Sequence, residues 1–97
     1  MSENLENLFK ASQDGDVDGI RAALSAGVDV NTLGSGWSAL MMASRQGHDA
    51  AVRALLDAGA DAAQQGARGM TALMFASENG HADVVGQLLA QEGVDVN

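Results

Sequence analysis

The sequence predicts an all-α solenoid of three helix-turn-helix repeats joined by short hairpins, making one domain over residues 1–97. Three observations predict it. The chain repeats itself at a fixed spacing of 33 residues, each copy holds two short amphipathic segments parted by glycine, and the apolar residues are mostly small. A fixed period of about 20 to 50 residues marks repeat architectures, in which each unit buries its apolar side against the next. Residues 36–56 laid on 69–89 agree at Ala39/Ala72, Leu40/Leu73, Met41/Met74, Ala43/Ala76, Ser44/Ser77, Gly47/Gly80, His48/His81, Val52/Val85, Leu55/Leu88 and Leu56/Leu89. Ordinary composition yields roughly one or two matches over such a window.

The first copy aligns at a shift of 32, with Leu8, Ala11, Ser12, Gly15, Arg21, Ala22, Leu24, Ala26, Gly27 and Asp29 falling on their counterparts from Leu40 to Asp61. The repeats therefore run over about 2–34, 35–67 and 68–97. Lys10 stands where Met42 and Phe75 stand later, and with the acidic first turn around Glu3 and Glu6 it marks residues 2–27 as an N-terminal cap with a polar outer face.

In the second and third copies Ser38 and Thr71 are N-caps, because a hydroxyl accepts from the unpaired amides of a helix's first turn. Helical segments 38–46 and 71–79 follow, and Gly47 and Gly80 stop them. In each second helix an i, i+3, i+4 triplet forms one buried face: Val52, Leu55 and Leu56, then Val85, Leu88 and Leu89. Gly59 and Gly93 end these helices. The intervening stretches 28–36 and 60–69 are turn-like, with residues 63–68 forming the looser hairpin. The third copy keeps Phe75, Val84, Val85 and Leu88 with no polar cap after it, so its outer end is expected to be uncapped.

The opening Gly-x-Ser/Thr-Ala-Leu-Met and the Gly-His after the first helix resemble the ankyrin repeat, over nearly the whole chain. The family's Thr-Pro-Leu-His reads here as Ser38-Ala39-Leu40-Met41 and Thr71-Ala72-Leu73-Met74, so Ala replaces Pro and Met replaces the His that braces the turn. The family's Gly-Ala-Asp-Val-Asn ending survives as Gly27-Val28-Asp29-Val30-Asn31 and Gly93-Val94-Asp95-Val96-Asn97, and decays to Gly59-Ala60-Asp61-Ala62-Ala63 between them. The resemblance implies a non-catalytic module that binds a protein partner through a concave surface of hairpins and first helices. It places Trp37 and Met70, one residue after Gly36 and Gly69, on that surface, and projects Ser35, Arg45, Gln46, Arg68, Glu78 and Asn79 from the same side.

Composition narrows the partners. With 13 acidic against 5 basic side chains the formal charge is −8, which repels a phosphate backbone and anionic headgroups, so neither nucleic acid nor a membrane is expected. The absence of cysteine removes disulfides, thiolate metal sites and a cysteine nucleophile. The acidic start lacks the basic and apolar regions of a secretory signal, and cytoplasmic residence is the expectation.

Five motifs invite a chemical or binding reading. Asp14-Gly15-Asp16-Val17-Asp18-Gly19 matches the opening of an EF-hand calcium loop, yet the twelfth position, where a bidentate Glu is required, is Ser25 and the apolar eighth is Arg21. Its plainer reading is a turn glycine followed by acids at a helix N-terminus. His48 and His81 occupy equivalent places in stacked repeats about 8–10 Å apart, too far to share a metal at about 2 Å, and read as turn-bracing residues. Ser44 and Ser77 sit at the small-residue packing position, and Gly34-Ser35-Gly36 lacks the third glycine of a nucleotide loop. The Met41-Met42 and Met74-Phe75 pairs read as inter-repeat core. No cofactor, metal or catalytic set follows. Trp37, a large side chain in the open, is the expected centre of the binding surface; the competing reading folds it over its own hairpin. Self-stacking through the uncapped third repeat and, more remotely, calcium binding are the alternative functions.

Overall fold

The computed structural model describes residues 3–91. Helices α1 (Glu3–Asp14), α2 (Val17–Ser25), α3 (Ala39–Gln46), α4 (Asp49–Asp57), α5 (Ala72–Glu78) and α6 (Ala82–Gln91) follow in order, with a tight turn at Ala67–Gly69. They pack in two layers. In one, α3 lies between α1 and α5; in the other, α4 lies between α2 and α6; and each first helix packs on the second helix of its own repeat. Gly93 as a helix stop, the ending 93–97 and the first residue of the cap, Ser2, lie outside the described residues.

Local chemistry sets the helix ends. Ser38 Oγ accepts from the Met41 N–H at 3.1 Å, and Met41 Sδ accepts in return from the Ser38 N–H at 3.4 Å. The methionine thus closes the capping box that a Glu or Gln usually completes. Thr71 Oγ1 accepts from the Met74 N–H at 3.3 Å, and Asp16 Oδ1 from the Gly19 N–H at 3.0 Å. The α3 helix ends at Gly47 in the left-handed conformation, φ 77°.

The core is a file of fully buried side chains, Leu8, Ile20, Leu40, Val52, Leu55, Val84 and Leu88, with Leu56, Val85 and Leu89 half-buried beside it. Polar bonds join successive repeats. His48 Nε2 donates to the Gln13 carbonyl at 2.8 Å and His81 Nε2 to the Arg45 carbonyl at 2.9 Å, so each histidine satisfies an unpaired carbonyl near the end of the preceding repeat's first helix. Asn31 ties the end of the first repeat to that of the second: its Nδ2 donates to the Gly59 carbonyl at 3.2 Å and its Oδ1 accepts from the Asp61 N–H at 2.8 Å. The outer face of the first repeat is lined by Asn4, Asn7, Lys10, Asp14 and Asp16, and Lys10 Nζ meets Asp14 Oδ2 at 3.8 Å.

The expectation that both Met-containing pairs are core needs correction. Phe9, Met41 and Met74 share one register, and the following hairpin covers the first two. A Cβ built on Gly34 would strike the Phe9 ring, and one on Gly66 would strike Gly36 O and the Met41 thioether. Gly66 is glycine because hairpin and helix approach that closely. Among the described residues no hairpin covers Met74, which is 46% exposed, whereas Met41 is 1% exposed. Met42 and Phe75, about 100° further round their helices, turn toward the hairpins and are half-buried. Likewise Ser44 is fully buried between repeats, but Ser77 is exposed, with no further helix beside it among the described residues.

Candidate functional site: an indole wedged on the hairpin face

The first hairpin closes with two bonds, Gly34 N–H to the Trp37 carbonyl at 2.8 Å and Trp37 N–H to the Gly34 carbonyl at 3.0 Å. Between them Ser35 and Gly36 have φ of 54° and 86°, the two positive values of a type I′ turn, whose twist matches that of the paired strands. The turn is tight, so the Trp37 side chain leaves the hairpin at a fixed place. The second hairpin repeats the backbone with Arg68 and Gly69 at φ 62° and 71°. There the Met70 N–H still reaches Ala67 O at 3.3 Å, but the Ala67 N–H bonds to the Gly36 carbonyl of the neighbouring hairpin at 2.9 Å and the Gly66 N–H reaches Met70 O at 2.8 Å.

Trp37 does not stand in the open. Its ring stacks on Phe75 from α5, with centroids 4.5 Å apart and planes 24° from parallel. The indole is partly buried against the core cluster. This corrects the expectation of an open side chain, since Trp37, which belongs to the second repeat, packs its ring on the third. The physical reason is the register of Phe75, whose helix packs directly on α3 and carries the ring up to the hairpin exit. Arg45, at the end of α3, lies over the same indole with Cζ 5.7 Å from the ring centroid, within cation–π range.

On the α1 side of the indole lies a depression of about 360 Å³ lined by Phe9, Gln13, Gly34, Ser35, Trp37, Met42 and Arg45. Of the residues expected on the binding surface, it brings together Ser35, Trp37 and Arg45. Arg68 is exposed at the tip of the adjoining hairpin, and Met70 repeats the position of Trp37, half-buried. Gln46 and Glu78 are exposed at the ends of α3 and α5, outside the depression. Asn79 is engaged elsewhere: its Nδ2 donates to the Phe75 carbonyl at 2.8 Å, closing its own helix. Phe9, Gln13 and Met42 line the site without having been expected there. The signal for them was in the alignment, since Gln13 shares the register of Arg45, and Phe9 that of Met41.

The acidic loop Asp14–Asp18 is occupied with local work. Asp14 pairs with Lys10, Asp16 caps α2 and Asp18 stands in that helix's first turn, where the macrodipole favours an anion. Among the described residues no three His, Cys, Asp or Glu side chains converge as a metal site, and no helix is long and apolar enough to cross a membrane.

The helix pair occurs three times, and two hairpins and two histidine bridges join the three units. A family model described as ankyrin repeats (3 copies) matches residues 8–97, and the chain belongs to the ankyrin-repeat family.

Proposed function

We propose that this chain binds a protein partner through its concave face, the surface made by the hairpins and first helices, with Trp37 and Arg45 at its centre and Arg68, Met70 and Glu78 at its margin. Ankyrin repeats are generally protein–protein interaction modules and typically non-catalytic. The observation that supports this face is the partly apolar depression beside Trp37, where an aromatic ring and an arginine, the residue types that dominate binding hot spots, meet at one place. A pull-down with the intact chain tests it. Partner capture should survive Arg53→Ala on the second-helix side and fall with Met42→Glu and Arg45→Ala. Equal loss for all three variants, or for none, overturns the reading.

A second reading has one observation of its own. Met74 is 46% exposed where Phe9 and Met41 are covered by the following hairpin, so a second copy stacking on the third repeat would bury it. Sedimentation across a concentration series tests this, with Met74→Lys as the variant expected to stay monomeric; a monomer at all concentrations refutes it.

A further inference from the structure

We propose that the depression beside Trp37 receives a large apolar side chain of the partner and that Arg45 pairs with a single carboxylate next to it, so that the recognised feature is an apolar residue flanked by one Asp or Glu. This rests on the concave-face reading and adds the partner's chemistry.

The size comes first. At about 360 Å³ the depression lies at the lower end of ligand pockets, which run roughly 300–1,000 Å³, and is open to solvent on the hairpin side. It suits a side chain or two. Phe9, Met42 and Trp37 supply its apolar walls, and methionine adapts its shape to different occupants. Gln13 and Ser35 complete the rim with polar groups.

The charge comes second. Arg45 is exposed, and the one ion pair among the described residues joins Lys10 to Asp14, so the Arg45 guanidinium has no carboxylate within 4 Å. The indole beneath it restrains the side chain, and the Arg45 carbonyl, held by His81, fixes the helix end that carries it. A guanidinium held over a ring at 5.7 Å keeps its N–H donors for a bidentate acceptor. Arg68 is close by on the adjoining hairpin, and Glu78 is the acid in the same register one repeat on. On the opposite side, by contrast, Arg21 and Arg53 sit among Asp49, Asp57 and Asp83. Arg45 and Arg68 are thus exposed cations without a carboxylate partner among the described residues, on a chain of net charge −8. That net charge repels an extended acidic run but only weakly opposes one carboxylate, which is why the proposal commits to a single one.

The test is a selection from a phage-displayed library of random, tryptophan-free 12-residue peptides against the intact chain. Trp37 is the sole tryptophan, so its emission reports occupancy of the depression. Enriched peptides are expected to carry a large apolar residue within two positions of one Asp or Glu, to shift Trp37 emission, and to bind the Arg45→Ala chain about tenfold or more weakly. The Arg45→Glu chain should instead enrich Lys or Arg at that place; Arg45→Gln, which should enrich neither sign, serves if circular dichroism shows Arg45→Glu unfolded. Peptides that shift Trp37 emission without acidic preference, or whose charge pattern is the same for every Arg45 variant, overturn this proposal and leave the concave-face reading standing. Enrichment of peptides that never move Trp37 emission, or no enrichment, overturns both.

Discussion

Truncating Trp37 to alanine should destabilise the domain by about 2–3 kcal/mol, and the worth of its contact with Phe75 can be isolated. If about 80 Å² of the indole is covered, burial at about 25 cal/mol per Å² contributes about 2 kcal/mol, an upper figure because the unfolded chain also hides apolar surface. The stack at 4.5 Å adds a specific term of about 0.5–1.5 kcal/mol. Leu55, fully buried between layers, should cost more, about 3–4 kcal/mol on truncation, because it leaves a cavity that the surrounding helices cannot close. The assay is urea unfolding followed by circular dichroism, since Trp37→Ala removes the fluorescent probe. Four chains are compared: the natural one, Trp37→Ala, Phe75→Ala and the double variant. Their cycle should return a coupling energy of about 1 kcal/mol. A coupling near zero refutes the wedge, and a loss for Trp37→Ala below about 0.5 kcal/mol returns Trp37 to the open surface.

Three further outcomes follow from named contacts. Ser44 Oγ is buried without a hydrogen-bond partner, whereas Ser12 Oγ donates to the Leu8 carbonyl at 2.7 Å; Ser44→Ala should therefore be neutral or raise stability by up to about 1 kcal/mol, and Ser12→Ala should lower it by about 1 kcal/mol in the same urea titration. Asn31→Ala removes both side-chain bonds to the second repeat and should cost about 1–2 kcal/mol, with water replacing part of what is lost at these exposed groups; a neutral result would show that the bridge contributes nothing. Amide exchange should be faster in residues 82–91 than in 38–58, because α3 and α4 each have neighbours on two sides, while among the described residues α6 packs chiefly on α4 and α5; equal protection would point to a partner copy covering the third repeat.

Much of the fold was legible because its devices are local. Ser38, Thr71 and Gly47 act within a few residues of where they stand; the i, i+3, i+4 triplets give the buried side only approximately, since in α6 Val84 and Leu88 are fully buried while Val85 and Leu89 are half-buried. The histidines were legible as braces, but the carbonyls they reach lie 35 and 36 residues away, at a place that only the stacking of repeats determines. The site was less legible for the same reason. Ser35, Trp37 and Arg45 belong to one copy, and the sequence puts them together; Phe75 and Phe9 come from the copies on either side. Internal repetition tells which residues share a register, and is silent on how far one repeat's ring overlaps the next repeat's hairpin. Asn79 is exposed as its position suggested, but its Nδ2 shares the Phe75 carbonyl with its own backbone N–H, a local bond that register alone does not foretell.

On the proposed reading, the placement of Trp37 links stability to recognition. An indole whose surface is shared between Phe75 and an open depression cannot be altered for one role without touching the other. A partner that fills the depression covers the remaining part of the ring, and it does so against α1, the first hairpin and α3 at once. Occupancy therefore ties the first repeat to the second on the same ring that already ties the second to the third. Binding through this site should tighten the whole stack in proportion to ligand excess over its dissociation constant, as linkage requires of anything that binds only the folded chain. Substitutions at Met42 or Gln13, which touch the depression but lie outside the stack, are then the ones that change recognition while leaving the wedge in place.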